Sequence, residues 1–224
     1  MKDNYIHVCF VIDESGSMYS STDDVIGGFK KTIDEQKKIK DGKCTVSLYT
    51  FADGVTEHYL GKDINEVDDF NYRPNGMTAL NDGIGRAITN VGKWLDSMPE
   101  DEKPSKNLIV VMTDGGENSS KEYTLAQVKD MITHQTEKYS WEFVYIGTDI
   151  TSASDANSYG FTNKAFTSRS MTGKSYDVIN NATTVYRCCV ANANDALTET
   201  LSAATANLTA EYETTANLKV TDNN

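Results

Sequence analysis

Cationic side chains are scarce. The 224 residues hold 21 Lys and Arg against 33 Asp and Glu, a formal net charge of −12. Nucleic acid and anionic membrane both require a basic face on a protein partner, so neither is expected. Long apolar runs are missing too. The leading run, Tyr5 to Ile12, spans eight residues, too few to cross a bilayer, and no cleavage site follows it. The four cysteines are Cys9, Cys44, Cys188 and Cys189, with no Cys-x-x-Cys spacing. That argues against a zinc site and favours a reducing, cytoplasmic compartment. His7, His58 and His134 are scattered and read as structural or solvated. No Gly-x-Ser-x-Gly elbow, Walker loop or His–Cys pair occurs, so no catalytic residues are assigned.

What is present is an alternation of strand-like and helix-like segments. Tyr5 to Ile12 is apolar on both faces, as a central parallel strand requires. Ser21 to Asp24 offers caps for a helix whose apolar residues are Val25, Ile26, Phe29 and Ile33, ended by Asp41-Gly42. Cys44 to Phe51 and Val55 to Leu60 flank Asp53-Gly54, a hairpin signal that makes the third strand antiparallel and an edge. Residues 61 to 74 read as an irregular acidic connection. Thr78 opens a second helix, striped by Leu80, Ile84, Ala87, Ile88, Val91 and Leu95. Ser97 to Lys106 reads as a surface loop and Leu108 to Met112 as a central strand. Leu125, Val128, Met131 and Ile132 mark a third helix, and Trp141 to Ile146 another strand. Thr151 to Tyr159 reads as a short helix, Lys164 to Thr167 as a last strand and Ser175 to Val190 as a final helix. The expected architecture is α/β, with right-handed crossovers joining the strands. From Ala191 the composition turns to Ala, Thr and Asn. Residues 1–190 are therefore read as one domain and 191–224 as an extension, a tail or a docking helix through which the chain could self-associate.

One stretch organises the rest. The apolar strand runs into Asp13-Glu14-Ser15-Gly16-Ser17, a carboxylate and two hydroxyls at alternate positions. Alternate positions can aim three side chains into one pocket. Oxygen-only donors suit a hard cation such as Mg²⁺. Two later segments match in context: Gly76-Met77-Thr78 before a helix, and Thr113-Asp114-Gly115 after a strand. Each segment has a plainer reading. Asp13 and Ser15 could cap a helix, Thr78 could be an N-cap, and Asp114-Gly115 could be an ordinary turn.

Taken together, Asp13, Ser15, Ser17, Thr78 and Asp114 resemble the metal-ion-dependent adhesion site of von Willebrand factor A-type domains, over residues 4 to 190. The resemblance implies a Rossmann-like, doubly wound, mostly parallel sheet in the order 3-2-1-4-5-6, with strand 3 as the antiparallel edge and helices on both faces. It implies that those five residues hold Mg²⁺ or Mn²⁺. Glu14, Met77, Gly115, Glu117 and Asp149 would form the rim that meets a protein partner. A partner's Asp or Glu would complete the ion's coordination. The expected role is a non-enzymatic binding module of an intracellular assembly, bacterial or phage. The location would then be the cytoplasm, or the virion or host cytoplasm for a phage protein. The alternatives are a structural or assembly subunit in which the metal stabilises loops and, further off, a metal-dependent phosphatase or hydrolase. Haloacid-dehalogenase-type phosphatases carry a second acid two residues after the first, where this chain has Ser15.

Overall fold

The fold is that of a computed structural model, which describes residues 2–147, 156–161 and 163–166 together with residues 177, 180, 183 and 184. The elements in chain order are β1 (Lys2–Asp13), α1 (Thr22–Lys38), β2 (Lys43–Phe51), β3 (Val55–Asp63), α2 (Leu80–Asp96), β4 (Pro104–Met112), α3 (Leu125–Tyr139), β5 (Glu142–Gly147) and β6 (Asn163–Phe166). A short 3-10 helix, Gly16–Ser21, joins β1 to α1. The strands form one six-stranded sheet in the order β3-β2-β1-β4-β5-β6. Every neighbouring pair is parallel except β2 with β3. This is the doubly wound order expected from the resemblance, with β3 as the antiparallel edge.

The period-2 alternation of β1 divides the core in two. Ile6, Val8, Phe10 and Ile12 pack with Val25, Phe29 and Ile33 of α1. Cys9 and Val11 face the other way, against Leu80, Ile84, Ile88 and Val91 of α2 and Val128 and Ile132 of α3. Helices on both faces explain why β1, β2 and β4 are apolar on each side. Among the described residues no helix is long and apolar enough to cross a membrane.

Several boundaries differ from the sequence reading. β4 begins at Pro104, inside the stretch expected to be a loop. Parallel pairing of β1 with β4, with Ile6 opposite Lys106, recruits those polar residues into the sheet. β3 runs past Leu60 to Asp63, through register shifts and a left-handed Gly61 (φ 64°). A short 3-10 turn, Ile64–Glu66, then follows within the stretch read as irregular. α2 starts two residues after Thr78, which lies in the loop before it. Ser21 is the N-cap residue of α1 but makes no side-chain cap bond, and its Oγ is buried without a hydrogen-bond partner. Residues 156–159 are helical, as are 177, 180, 183 and 184. The rest of the segments expected there, and the extension 191–224, lie outside the described residues.

Candidate metal centre

In an open α/β sheet the loops beyond the carboxyl ends of the strands meet where the strand order reverses. Here the reversal falls between β1 and β4, so the loops that follow Asp13 and Met112 are neighbours. A third loop, leading into α2, is tied to the first by backbone bonds. Gly16 N–H donates to Gly76 O at 3.1 Å and Asn75 N–H to Glu14 O at 2.8 Å. Gly76 has a φ of +86°, and a Cβ there would meet the Asp53 carboxylate at 2.6 Å, so this loop also sits close against the β2–β3 turn. The third and second loops are joined by a reciprocal pair: Asn118 Oδ1 accepts from Thr78 N–H at 2.8 Å, and Asn118 N–H donates to Thr78 O at 3.1 Å.

The five expected ligands are brought to one place. The Asp13 carboxylate is fully buried. Its Oδ1 accepts from Ser15 N–H at 2.8 Å and its Oδ2 from Thr113 Oγ1 at 2.5 Å. Ser15 Oγ lies 3.0 Å from Ser17 Oγ, which donates to Asp114 Oδ1 at 2.5 Å. Thr78 is buried, and its Oγ1 would be 3.7 Å from a Cβ built on Gly115, with Ser17 Oγ at 3.9 Å from the same point. Gly115 thus lies near both hydroxyls.

The electrostatics bring two carboxylates, one of them buried, close together. Burial pushes the Asp13 carboxyl up to about 6, the hydrogen bonds from Thr113 and Ser15 oppose that, and the nearby Asp114 adds to it. Among the described residues no Lys, Arg or His forms an ion pair with Asp13. A buried carboxylate without a cation is costly, and a divalent ion would relieve it. The donor set of carboxylates and hydroxyls fits a hard ion such as Mg²⁺. Among the described residues no group of three His, Cys, Asp or Glu side chains is placed to hold a metal, so an ion held by this cluster would draw on its hydroxyls as well as its carboxylates.

The rim residues are placed less uniformly. Met77 is exposed, with its N–H donating to Asp53 Oδ1 at 2.9 Å. Glu14 is half-buried, and its Oε1 accepts from Arg73 N–H at 2.6 Å. Glu117 turns both oxygens inward. Oε2 accepts from Asn81 N–H at 2.8 Å and Ser120 Oγ at 2.7 Å, while Oε1 accepts from Ser119 and Ser120 N–H at 2.9 and 2.7 Å. It fastens its loop to the start of α2. Asp149 lies outside the described residues.

Four supporting residues had no assigned role in the sequence reading. Thr113 holds Asp13, and Tyr72 OH donates to Asp13 O at 2.5 Å. Asn118 holds Thr78. Asp82 accepts three backbone N–H groups, from Lys121 at 2.8 Å and from Glu122 and Tyr123 at 2.9 Å each. Only Thr113 carried a sequence signal, its place between strand end and Asp114. Tyr72 lies in the stretch read as irregular, where no periodicity marks it.

Fold and site define a doubly wound α/β domain with an acid-and-hydroxyl cluster at the carboxyl end of its sheet. Residues 7–183 match the model of the von Willebrand factor type A domain, and the chain belongs to that family. Its members typically serve as protein-interaction or adhesion modules. No curated protein matches the chain. Among solved structures, the PilB minor pilin from Streptococcus sanguinis is similar with a TM-score of 0.57 at 14% identity, covering 84% of this chain and 62% of the pilin. Proximal thread matrix protein 1 from the mussel byssus, in a structure with zinc in its metal-ion-dependent adhesion site, is similar with a TM-score of 0.54 at 20% identity, covering 80% of this chain and 45% of that protein. The chain thus spans less than two thirds of either, and at these identities the likeness is one of fold.

Proposed function

We propose that this domain is a divalent-metal-dependent protein-binding module. Asp13, Ser15, Ser17, Thr78 and Asp114 would hold Mg²⁺ or Mn²⁺ in a complete metal-ion-dependent adhesion site. The observation that carries the reading is the buried Asp13 carboxylate, which pairs with no Lys, Arg or His among the described residues and lies in one hydrogen-bonded cluster with Ser15, Ser17 and Asp114. When bound, the ion supplies a Lewis-acidic centre for an anionic oxygen. Three of the five donors are neutral hydroxyls, so the ion keeps its attraction for an Asp or Glu side chain of a partner. Thr113 and Ser15 N–H fix the orientation of Asp13, and Asn118 fixes the loop carrying Thr78.

A binding role is preferred to turnover because Ser15 stands where a phosphatase of the haloacid-dehalogenase type has its second acid. We place the module in an intracellular assembly, bacterial or phage. Cysteine usage supports that setting, since Cys9 and Cys44 are buried free thiols. The test is affinity capture in Mg²⁺ followed by elution with EDTA. A partner released by EDTA, and not captured by Asp114→Ala, is expected. Retention in EDTA overturns metal-bridged binding.

A further inference from the structure

Asn75-Gly76 is the only Asn-Gly pair in the 224 residues, and it lies in the loop that leads to Thr78. Glycine after asparagine has a chemical consequence. The main-chain nitrogen of the second residue can attack the side-chain amide of the first, and a glycine puts no Cβ in the way. Whether this happens in a folded chain depends on what holds the two groups.

Here neither is held. Asn75 and Gly76 are both exposed. The N–H groups on either side are engaged: Asn75 N–H donates to Glu14 O at 2.8 Å and Met77 N–H to Asp53 Oδ1 at 2.9 Å. Among the described residues, Gly76 N–H and the Asn75 side-chain amide have no hydrogen-bond partner. Asn118-Ser119, in the neighbouring loop, is the contrast. Asn118 Oδ1 accepts from Thr78 N–H at 2.8 Å and Ser119 N–H donates to Glu117 Oε1 at 2.9 Å, so both reacting groups are occupied there.

We propose that Asn75 is a self-modifying position in the folded protein, and that its product unties the loop carrying Thr78. Gly76 N gives up its proton and bonds to Asn75 Cγ. The Cγ–Nδ2 bond breaks, and the amide nitrogen takes up a proton and leaves as ammonia. Water then opens the cyclic imide. Opening at Cγ leaves aspartate. Opening at the main-chain carbonyl leaves isoaspartate, in which the chain runs through Cγ and is longer by one methylene. That methylene falls between two ties to the loop after β1: Asn75 N–H to Glu14 O, and Gly76 O, which accepts from Gly16 N–H at 3.1 Å. A longer chain between two fixed ends breaks their register. Modification and untying stand apart from the metal reading, whereas the effect on Mg²⁺ given below rests on it.

The test holds the full chain, free of metal, in mildly alkaline buffer and maps its peptides by mass over time. Asn75 should be the first residue to exchange amide for acid, at a rate that rises with hydroxide, while Asn118 stays intact. Asn75→Gln keeps an exposed amide but needs a larger ring, and should abolish the conversion. In the isoaspartate form, isolated by ion exchange, Gly16 N–H should exchange with deuterium about tenfold faster than in fresh protein, the factor that losing one such bond gives. The same form should bind Mg²⁺ about tenfold more weakly. Asn75→Asp, which carries the charge without the extra methylene, should match fresh protein in both. Conversion at Asn118 before Asn75, or none at Asn75, overturns the modification. Unchanged exchange at Gly16 in the isoaspartate form overturns the untying. Fresh protein that binds no Mg²⁺ overturns the metal reading alone.

Discussion

Asp13 is a buried carboxylate held for an ion, and its neutralisation should separate folding from binding. In Asp13→Asn the amide can still accept from Ser15 N–H and can donate to Thr113 Oγ1, so the fold should persist. Mg²⁺ at about a hundredfold excess over its Kd should stabilise the native protein by about 2.7 kcal/mol, and the variant by nothing measurable. Thermal unfolding with and without Mg²⁺ checks this, and an equal shift in both proteins would contradict it. His7 provides a pH signature of its own. Its Nδ1 lies 3.0 Å from Thr45 Oγ1, its Nε2 lies 3.2 Å from Ser47 Oγ, and full burial lowers its pKa from 6.5 to about 3. Between those values the unfolded chain takes up a proton that the folded chain refuses, so stability falls as pH drops, by up to about 1.4 kcal/mol per unit. Asp13, raised from 3.8 to about 6, acts in the opposite sense in metal-free protein, stability falling as pH rises over that interval. Urea unfolding of metal-free Asp13→Asn at pH 7 and pH 5 removes the aspartate's opposing contribution, and the variant should lose about 1–2 kcal/mol between them, from His7 and from half-buried His58, whose pKa burial also lowers; His7→Gln in the same background should remove the His7 share. The candidate ligands were legible because their spacing and flanking strand and helix patterns are local. Tyr72 and Asp82 were not, because hydrogen bonds over 59 and about 40 residues of chain leave no mark on spacing.

Each ligand-bearing loop is held by the element beside it, and α2 holds two. Its first turn contains Asp82, which gathers the N–H groups of Lys121, Glu122 and Tyr123, and Asn81, whose N–H is bound by Glu117. At Gly85 a Cβ would meet the Tyr123 ring at 2.5 Å, so helix and loop pack in close contact. The loop carrying Asp114 is thereby fastened to the helix that follows Thr78. Asp82→Ala leaves three backbone N–H groups without their acceptor. We expect a loss of about 3 kcal/mol in urea unfolding, together with a weaker Mg²⁺ response. A variant that lost stability but kept the full Mg²⁺ response would show that the fastening does not reach the site. The order of elements was readable from alternating apolar patterns and from the Asp53-Gly54 hairpin. Ends of elements were less so. Pro104 to Asn107 is strand because β1 pairs with it, and α2 begins after Thr78 because that residue's backbone is tied to Asn118. Both are tertiary bonds that override local pattern.

At the scale of the whole molecule, the charge of −12 acts on any partner before the ion does. A field of this kind steers encounter, whereas a bond to the metal forms only at contact, so the two should separate in kinetics. The field reaches roughly 30 Å at 0.01 M salt and about 8 Å at 0.15 M. A partner segment with one carboxylate set among Lys and Arg should therefore associate more slowly as salt is raised. A net-acidic partner should associate faster, since salt screens repulsion rather than attraction. Dissociation should change little for either, because the metal-bound carboxylate is shielded at contact and the dissociation rate reports that bond. Stopped-flow measurements across that salt range, in constant Mg²⁺, resolve the two rates. Association of a net-acidic partner that slowed with salt would mean that the acidic surface of this domain does not face the partner, and that a basic patch elsewhere guides the encounter.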